Sequence, residues 1–141
     1  MKELKIYLGG KMSGLTFFEM NKWRVAMKEQ LTIAASDICN VRVINPTDYY
    51  NFENIRHKSE EEVMDYDLDH VKSSDILIIN LDKVQTSPGT IVEIHTAWEL
   101  GIPVLAFGDS DTLHPWIKRM IRRTDDTLEE LVDYIKDFYF V

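Results

Sequence analysis

The sequence predicts an α/β fold in which helices cover both faces of a five-stranded, mainly parallel sheet. Segments with strand character alternate with segments of helical periodicity along the chain, and this alternation is typical of β-α-β units. Two of the strand segments, 75–81 and 102–108, are continuously apolar, as parallel strands buried on both faces usually are. The 141 residues are close to the commonest domain size, so we expect one domain over residues 1–141.

The strands are predicted from short apolar segments that end in turn residues. The first, 4–10, alternates in polarity and ends in Gly-Gly, and the second, 41–46, ends at Pro46. The two continuously apolar segments are the third and fourth strands. A short fifth strand is expected near residues 120–123.

Five helices are predicted between and after these strands. In residues 17–34, Phe17, Met20, Arg24, Met27 and Leu31 recur at helical spacing. The other helices are expected at 60–72, 91–100, 114–121 and 128–138. Residues 47–58 and 85–90 have no periodicity and are predicted to be loops.

Composition and charge exclude several classes of protein. The net charge of −8 argues against duplex nucleic acid as a partner. No segment has the apolar length of a signal peptide or a membrane span, so we expect a cytoplasmic protein with no membrane partner. The single cysteine, Cys39, and the four histidines lack the spacing of metal ligands, so neither a metal nor a cofactor is expected.

Glu93 is the first candidate for chemistry. It belongs to one of four Ser/Thr-x-x-Glu patterns, and each pattern stands where a helix should begin, which makes a capping box one interpretation. However, Glu93 shares its helix stripe with Ala97 and Leu100, and the loop before it follows a buried strand, where parallel sheets bind ligands. In the first helical turn, the helix dipole would keep this carboxylate ionised, as a nucleophile requires.

Asp67 is the second candidate, because it lies on an apolar stripe of the predicted helix 60–72. Its neighbours at helical spacing are Val63, Met64 and Val71. A carboxylate in that position is costly unless it is paired or functional. The structural alternatives are an N-cap or a salt bridge to a buried base. Partial burial would raise its pKa toward the range that suits proton transfer.

The glycine-rich segment GGKMSG, residues 9–14, follows the first strand. It lacks the spacing of a Walker motif, but its backbone N–H groups could hold a phosphate or a sugar hydroxyl. A plain tight turn is the alternative. Tyr7 precedes this loop in the first strand, so its hydroxyl could reach the same cleft, or the ring could be part of the core.

Three segments resemble the nucleoside 2-deoxyribosyltransferase family: IYLGG, DLDHVKSSDILIINL and SPGTIVEIHTAWELGIPV. The similarity covers nearly the whole chain in order and spacing. The resemblance implies a flavodoxin-like three-layer sandwich, a homodimer or larger oligomer, and a role in nucleotide metabolism such as salvage. It also implies transfer of deoxyribose from a nucleoside to a free nucleobase, or to water.

The resemblance assigns roles at matching positions. Glu93 stands in the family's GT-x-x-E block with Gly89 and Thr90, where the glutamate attacks the anomeric carbon. Asp67 matches the aspartate that handles the proton on the base. Tyr7 matches a tyrosine that orients the nucleophile.

One position departs from the family pattern. The transferases carry an acidic residue six positions before the nucleophile, and here that residue is Ser87. In the related deoxynucleoside 5′-monophosphate N-glycosidases, a serine at this place helps to bind the phosphate. That branch also has an arginine in the first loop, where this chain has Ser13 with Lys11 nearby.

The phosphate donors would then be Lys11, Ser13, Ser87 and the backbone of Gly9 and Gly10, close to the helix N-terminus at Thr90. Transferase is the expected activity, with the monophosphate N-glycosidase as the alternative. A second alternative is a non-catalytic nucleotide-binding domain, because a fold alone does not fix a function.

The last third of the chain is rich in aromatic residues, which suggests an interface. These residues are Trp116, Tyr134, Phe138, Tyr139 and Phe140. We expect at least a dimer, in which residues near His114–Trp116 complete a neighbour's site. Ordinary core packing of the same rings is the alternative.

Overall fold

The computed structural model describes residues 1–49 and 58–141, and it confirms the predicted α/β architecture. The strands form one sheet in the order β2-β1-β3-β4-β5, and every neighbouring pair is parallel. This is the flavodoxin-like order. The strand bounds are β1 Lys2–Gly9, β2 Cys39–Ile44, β3 Ile76–Asn80, β4 Val104–Phe107 and β5 Arg123–Asp125.

Five α-helices pack on this sheet. Their bounds are α1 Phe17–Ala35, α2 Glu60–Lys72, α3 Pro88–Glu99, α4 Pro115–Met120 and α5 Leu128–Phe138. Short 3-10 turns occupy Pro46–Asp48 and Val84–Thr86. The first of these turns begins the predicted loop 47–58, of which residues 50–57 lie outside the described residues.

Two predicted boundaries are wrong. α3 begins at Pro88, not at residue 91, so the predicted loop 85–90 is a 3-10 turn followed by the first helical residues. Proline has a backbone angle that suits the first position of a helix and needs no N–H partner there. The fifth strand lies at Arg123–Asp125, beyond the predicted 120–123, and it is too short and polar to give an apolar pattern.

The apolar strands divide the core between the two faces of the sheet. Even-numbered residues of β1 and β3 pack with α1 and α5, whereas odd-numbered residues pack with α2, α3 and α4. This division follows from the two-residue repeat of a strand. Tyr7 is fully buried on the second face, so its ring points toward α3 and not toward α1.

Three of the four Ser/Thr-x-x-Glu patterns cap helices. Thr16 forms a complete capping box with Glu19, and Ser59 and Thr127 each accept a bond from the backbone of the third helical residue. Thr90 differs because it lies inside α3, whose N-cap is Ser87. The capping interpretation of Glu93 is therefore wrong.

Within residues 1–49 and 58–141, none of the helices combines the length and the apolar character that crossing a bilayer requires.

Candidate active site

A pocket of about 360 Å³ opens at the carboxyl end of β1. Its volume lies within the range of small-molecule sites. It lies where the strand order reverses between β1 and β3, which is where flavodoxin-like folds bind ligands. All the predicted site residues line it except Gly9 and Lys11; the lining ones are Tyr7, Gly10, Ser13, Asp67, Ser87, Gly89, Thr90 and Glu93.

Tyr7 and Glu93 form a direct pair at the base of this pocket. The Tyr7 hydroxyl donates a hydrogen bond of 2.5 Å to Glu93 Oε2. Tyr7 is fully buried and Glu93 is 9% exposed. Burial, followed by the negative charge of Glu93, raises the pKa of Tyr7 well above its usual value. Tyr7 thus remains a protonated donor that fixes one oxygen of the carboxyl group.

The protonation of Glu93 differs from the expectation based on the helix dipole. Because α3 begins at Pro88, Glu93 lies in the second turn, and the first turn contains no acidic residue. Burial raises the pKa of Glu93 to about 8, with a further increase from Asp67. The Tyr7 hydrogen bond and the charge of Arg24 act in the opposite direction. Near neutral pH the carboxyl group is therefore mainly protonated in the free protein.

Asp67 lies on α2, half-buried, across the pocket from α3. The Tyr49 hydroxyl donates a bond of 2.8 Å to Asp67 Oδ1. Asp67 lies inside α2, whose N-cap is Ser59, so the N-cap alternative for Asp67 is wrong. The predicted apolar stripe is only partly buried, since Val71 is fully covered whereas Met64 is 51% exposed.

Arg24 also belongs to the site. The sequence analysis identified it only as one of the regularly spaced residues of helix α1. It is fully buried and lines the pocket. Its guanidinium donates to the backbone carbonyls of Met20, Leu8 and Gly10 at 2.5, 3.3 and 3.1 Å. Burial lowers its pKa to about 10, so it stays charged at neutral pH. Its position could have indicated a site residue, because a charged side chain on an apolar helix stripe is the same feature that singled out Asp67.

The first loop requires its glycines because neighbouring groups approach closely. A Cβ at Gly9 would lie 2.8 Å from Ile79 Cδ1 and 3.5 Å from Glu93 Oε1, and one at Gly10 would lie 3.0 Å from the Trp23 ring. Gly9 therefore borders Glu93 without lining the pocket. Lys11 donates to Thr86 Oγ1 at 2.7 Å, so it connects the first loop to the turn before α3.

Ser87, Gly89 and Thr90 form the opposite rim. The Ser87 and Thr90 hydroxyls lie 2.7 Å apart in a shared hydrogen bond. Ser87 makes no side-chain cap bond to the helix backbone. No atom of residues 1–49 or 58–141 lies within 4 Å of a Cβ built at Gly89.

The described residues contain no group of three or more His, Cys, Asp or Glu side chains arranged to hold a metal ion. The described residues that line the pocket offer three carboxyl groups, one phenol, three hydroxyls and one guanidinium; they are Glu60, Asp67, Glu93, Tyr7, Ser13, Ser87, Thr90 and Arg24. Paired carboxyl groups of this kind serve glycosyl transfer, in which one attacks carbon and the other handles a proton.

Comparison with known proteins points to the same chemistry. The sequence model of a family described as nucleoside 2-deoxyribosyltransferase matches residues 6–131. No curated protein matches the chain in sequence.

Three solved structures share the fold. A conserved protein from Enterococcus faecalis is 19% identical, with a TM-score of 0.74 over 96% of this chain and 98% of that one. A 2-deoxyribosyltransferase from Bacillus psychrosaccharolyticus is 22% identical, with a TM-score of 0.64 over 92% and 91%. The CMP N-glycosidase of Clostridium botulinum is 15% identical, with a TM-score of 0.58 over 95% and 98%.

The raised pKa of Glu93 predicts a pH-dependent stability. Since the folded pKa of about 8 exceeds the ordinary 4.5, its stabilising contribution is complete below about pH 4.5 and is lost as pH rises through 8. Glu93→Gln keeps an acceptor for Tyr7 and carries no charge. Its melting temperature should exceed that of wild type by roughly 3–8 °C at pH 9 and differ little at pH 5, by calorimetry.

Glu29→Gln is the matched control, because Glu29 is exposed on α1. It should leave the melting temperature nearly unchanged at both pH values. A Glu93→Gln effect of equal size at pH 5 and pH 9 would contradict the raised pKa.

Proposed function

Because the chain belongs to the nucleoside 2-deoxyribosyltransferase family, we propose that it cleaves the N-glycosidic bond of 2′-deoxynucleosides and transfers deoxyribose to another nucleobase. The observation that carries this proposal is the pairing of two carboxyl groups in one pocket. Glu93 on α3 accepts a hydrogen bond from Tyr7, and Asp67 on the facing helix α2 accepts one from Tyr49. Glu93 is proposed as the nucleophile and Asp67 as the acid/base.

The reaction would proceed in two displacements. In the first, ionised Glu93 attacks C1′ of the sugar, the C1′–N bond breaks, and the departing base takes a proton from Asp67. In the second, a ring nitrogen of the acceptor base attacks C1′, the ester to Glu93 breaks, and Asp67 recovers its proton from the N–H of that base. Both carboxyl groups end as they began, and the sugar retains its configuration.

The environment of Glu93 supports this role. Tyr7 holds Oε2, so Oε1 beside Gly9 is the oxygen proposed to attack. The transition state carries positive charge on the sugar, and an ionised Glu93 would stabilise that charge in a site shielded from water. The proton must first leave Glu93, whose pKa is about 8. In the free enzyme, kcat/KM should therefore increase as pH rises toward 8.

Glu93→Ala should abolish turnover while the chain stays folded. Removal of a covalent nucleophile costs several orders of magnitude, so we expect a loss of roughly 10³-fold or more in kcat. Product analysis by chromatography measures this loss. When wild type is incubated with a deoxynucleoside and no acceptor, mass spectrometry should find a deoxyribosyl adduct on the peptide that contains Glu93.

Wild-type activity in Glu93→Ala would contradict the nucleophile assignment. Binding of nucleosides without turnover by wild type would instead support a non-catalytic nucleotide-binding domain. Circular dichroism of the variant serves as the folding control.

The alternative activity is hydrolysis of deoxynucleoside 5′-monophosphates. Three observations favour it. Ser87 stands where an acidic residue would repel a phosphate, the Ser13 hydroxyl lines the pocket, and the charged guanidinium of Arg24 lines it as well. The Arg24 guanidinium donates to backbone carbonyls, so it would favour a phosphate through its positive charge beneath the first loop. Lys11, bonded to Thr86, would have to turn to reach a phosphate.

Ser87→Asp discriminates between these activities. A carboxylate at this rim would repel a group that carries nearly two negative charges, so any preference for the monophosphate should fall at least tenfold. The measurement is kcat/KM for a deoxynucleoside and for its 5′-monophosphate, in both proteins. Ser87→Asn is the uncharged control.

If wild type prefers the nucleoside and an added base accelerates turnover, the transferase proposal stands. If it prefers the monophosphate and Ser87→Asp removes that preference, the N-glycosidase replaces it.

We further propose that the chain acts as a homodimer or a larger homo-oligomer. Of the aromatic residues in the final third, Phe140 is buried, and Tyr134 and Tyr139 pack against the core. Trp116 and Phe138 are 80% and 60% exposed. Trp116 follows His114, the N-cap of α4, whose backbone N–H donates to Gln85 beside the α3 rim. This bond joins the start of α4, and with it Trp116, to the turn before α3.

Light scattering at micromolar concentration should give at least the mass of a dimer. Trp116→Ala should shift the chain toward monomer and lower activity, because a large apolar contact is lost. Phe138→Ala is the control at the opposite face of the sheet. A fully active wild-type monomer would contradict the proposal.

A further inference from the structure

Tyr49 is a second tyrosine in contact with a candidate catalytic carboxylate. It follows the 3-10 turn Pro46–Asp48, which comes directly after β2. The turn is fixed by side chains: Asn45 accepts from the backbone N–H of Thr47 at 3.0 Å and donates to Asn21 on α1 at 2.9 Å. Tyr49 therefore extends from an anchored segment.

The ring of Tyr49 packs on α2. It lies edge-on to Tyr66, with ring centres 4.8 Å apart, and stacks on His70 at 5.6 Å. Tyr66, Asp67 and His70 belong to the same stretch of α2. The two ring contacts hold the phenol in the position from which its hydroxyl donates to Asp67 Oδ1 at 2.8 Å.

This bond distinguishes the two oxygens of Asp67. A carboxyl group that accepts a hydrogen bond on Oδ1 carries its own proton, when protonated, on Oδ2. The bond also restrains the side-chain torsion of Asp67. General acid catalysis requires this control, because the proton must lie within hydrogen-bond reach of the departing atom.

We propose that Tyr49 is a positioning residue for leaving-group protonation: by holding Oδ1, it orients Asp67 so that the proton on Oδ2 is delivered to the departing base. The inference rests on the proposed function and deepens it. It assigns the two tyrosines different tasks, with Tyr7 acting on the nucleophile and Tyr49 acting on the acid. Among the described residues, the ionisable side chains that line this pocket with Asp67 are Glu60, Arg24, Tyr7 and Glu93.

The test uses two substrates that differ in their need for an acid. Adenine leaves 2′-deoxyadenosine readily only when it is protonated. In 7-methyl-2′-deoxyguanosine the base already carries a positive charge, and it leaves as a neutral molecule without a proton from the enzyme. Both substrates are supplied as nucleosides or as 5′-monophosphates, in whichever form wild type turns over faster.

Tyr49→Phe keeps the ring and removes the hydroxyl. We expect kcat/KM for 2′-deoxyadenosine to fall roughly 10- to 100-fold, which is a part of the 10²–10⁴-fold that a general acid contributes. The value for 7-methyl-2′-deoxyguanosine should change by less than about threefold. Asp67→Asn should show the same selectivity, and Tyr49→Phe added to Asp67→Asn should have little further effect because both changes remove one function.

Two controls define the specificity of this result. Tyr7→Phe should slow both substrates, since Tyr7 contacts the nucleophile. Tyr134→Phe, on the α1 and α5 face of the sheet, should slow neither.

Equal losses on both substrates in Tyr49→Phe would mean a structural role and would overturn the inference, as would wild-type rates on both. A full additional loss in the Asp67→Asn background would overturn it too. Wild type that cleaves neither substrate in either form would overturn the proposed function and this inference with it.

Discussion

The hydrogen bond between the Tyr7 hydroxyl and Glu93 joins the core of the fold to its candidate site. Tyr7 is a fully buried residue of the interior strand β1, so its position is set by the register of that strand against β2 and β3. A shift of one residue would turn Tyr7 toward α1 and leave Glu93 without its donor. The carboxyl group itself is set by α3, which starts at Pro88. The geometry of the pair thus depends on the packing of α3 against β1.

Burial gives this pair its electrostatic character. Removing a carboxyl group from water favours the neutral form, and here that effect exceeds the stabilisation that Tyr7 gives to the ionised form. Arg24 adds a positive charge, but its guanidinium donates to the backbone carbonyls of Leu8, Met20 and Gly10, and neither ion pair found among the described residues includes it. Its charge therefore acts on Glu93 from a distance. The site therefore brings the pKa of Glu93 close to neutral pH.

A few polar side chains form the rim of the pocket. Solved structures with this fold include a 2-deoxyribosyltransferase and a CMP N-glycosidase, at 22% and 15% identity. The same sheet can therefore carry different reactions, as open α/β folds commonly do. In this chain the rim offers Ser13, Ser87 and Thr90, with Arg24 beneath the first loop. Hydroxyl groups of this kind can bond to either a sugar or a phosphate.

The sequence by itself determined the parallel α/β class, the five helices and eight of the residues that line the pocket. Strand and helix periodicity is a local property, and in a parallel sheet the carboxyl ends of the strands meet at one edge, so Glu93, Tyr7 and the glycine loop could be predicted together. Asp67 could be predicted because a carboxylate on an apolar helix stripe is unusual. Only the tertiary structure decided that Glu93 lies in a second helical turn with a raised pKa, that Lys11 bonds to Thr86, and that Arg24 and Tyr49 enter the site. These features depend on desolvation and on contacts between residues distant in the chain, and neither quantity is encoded in local periodicity.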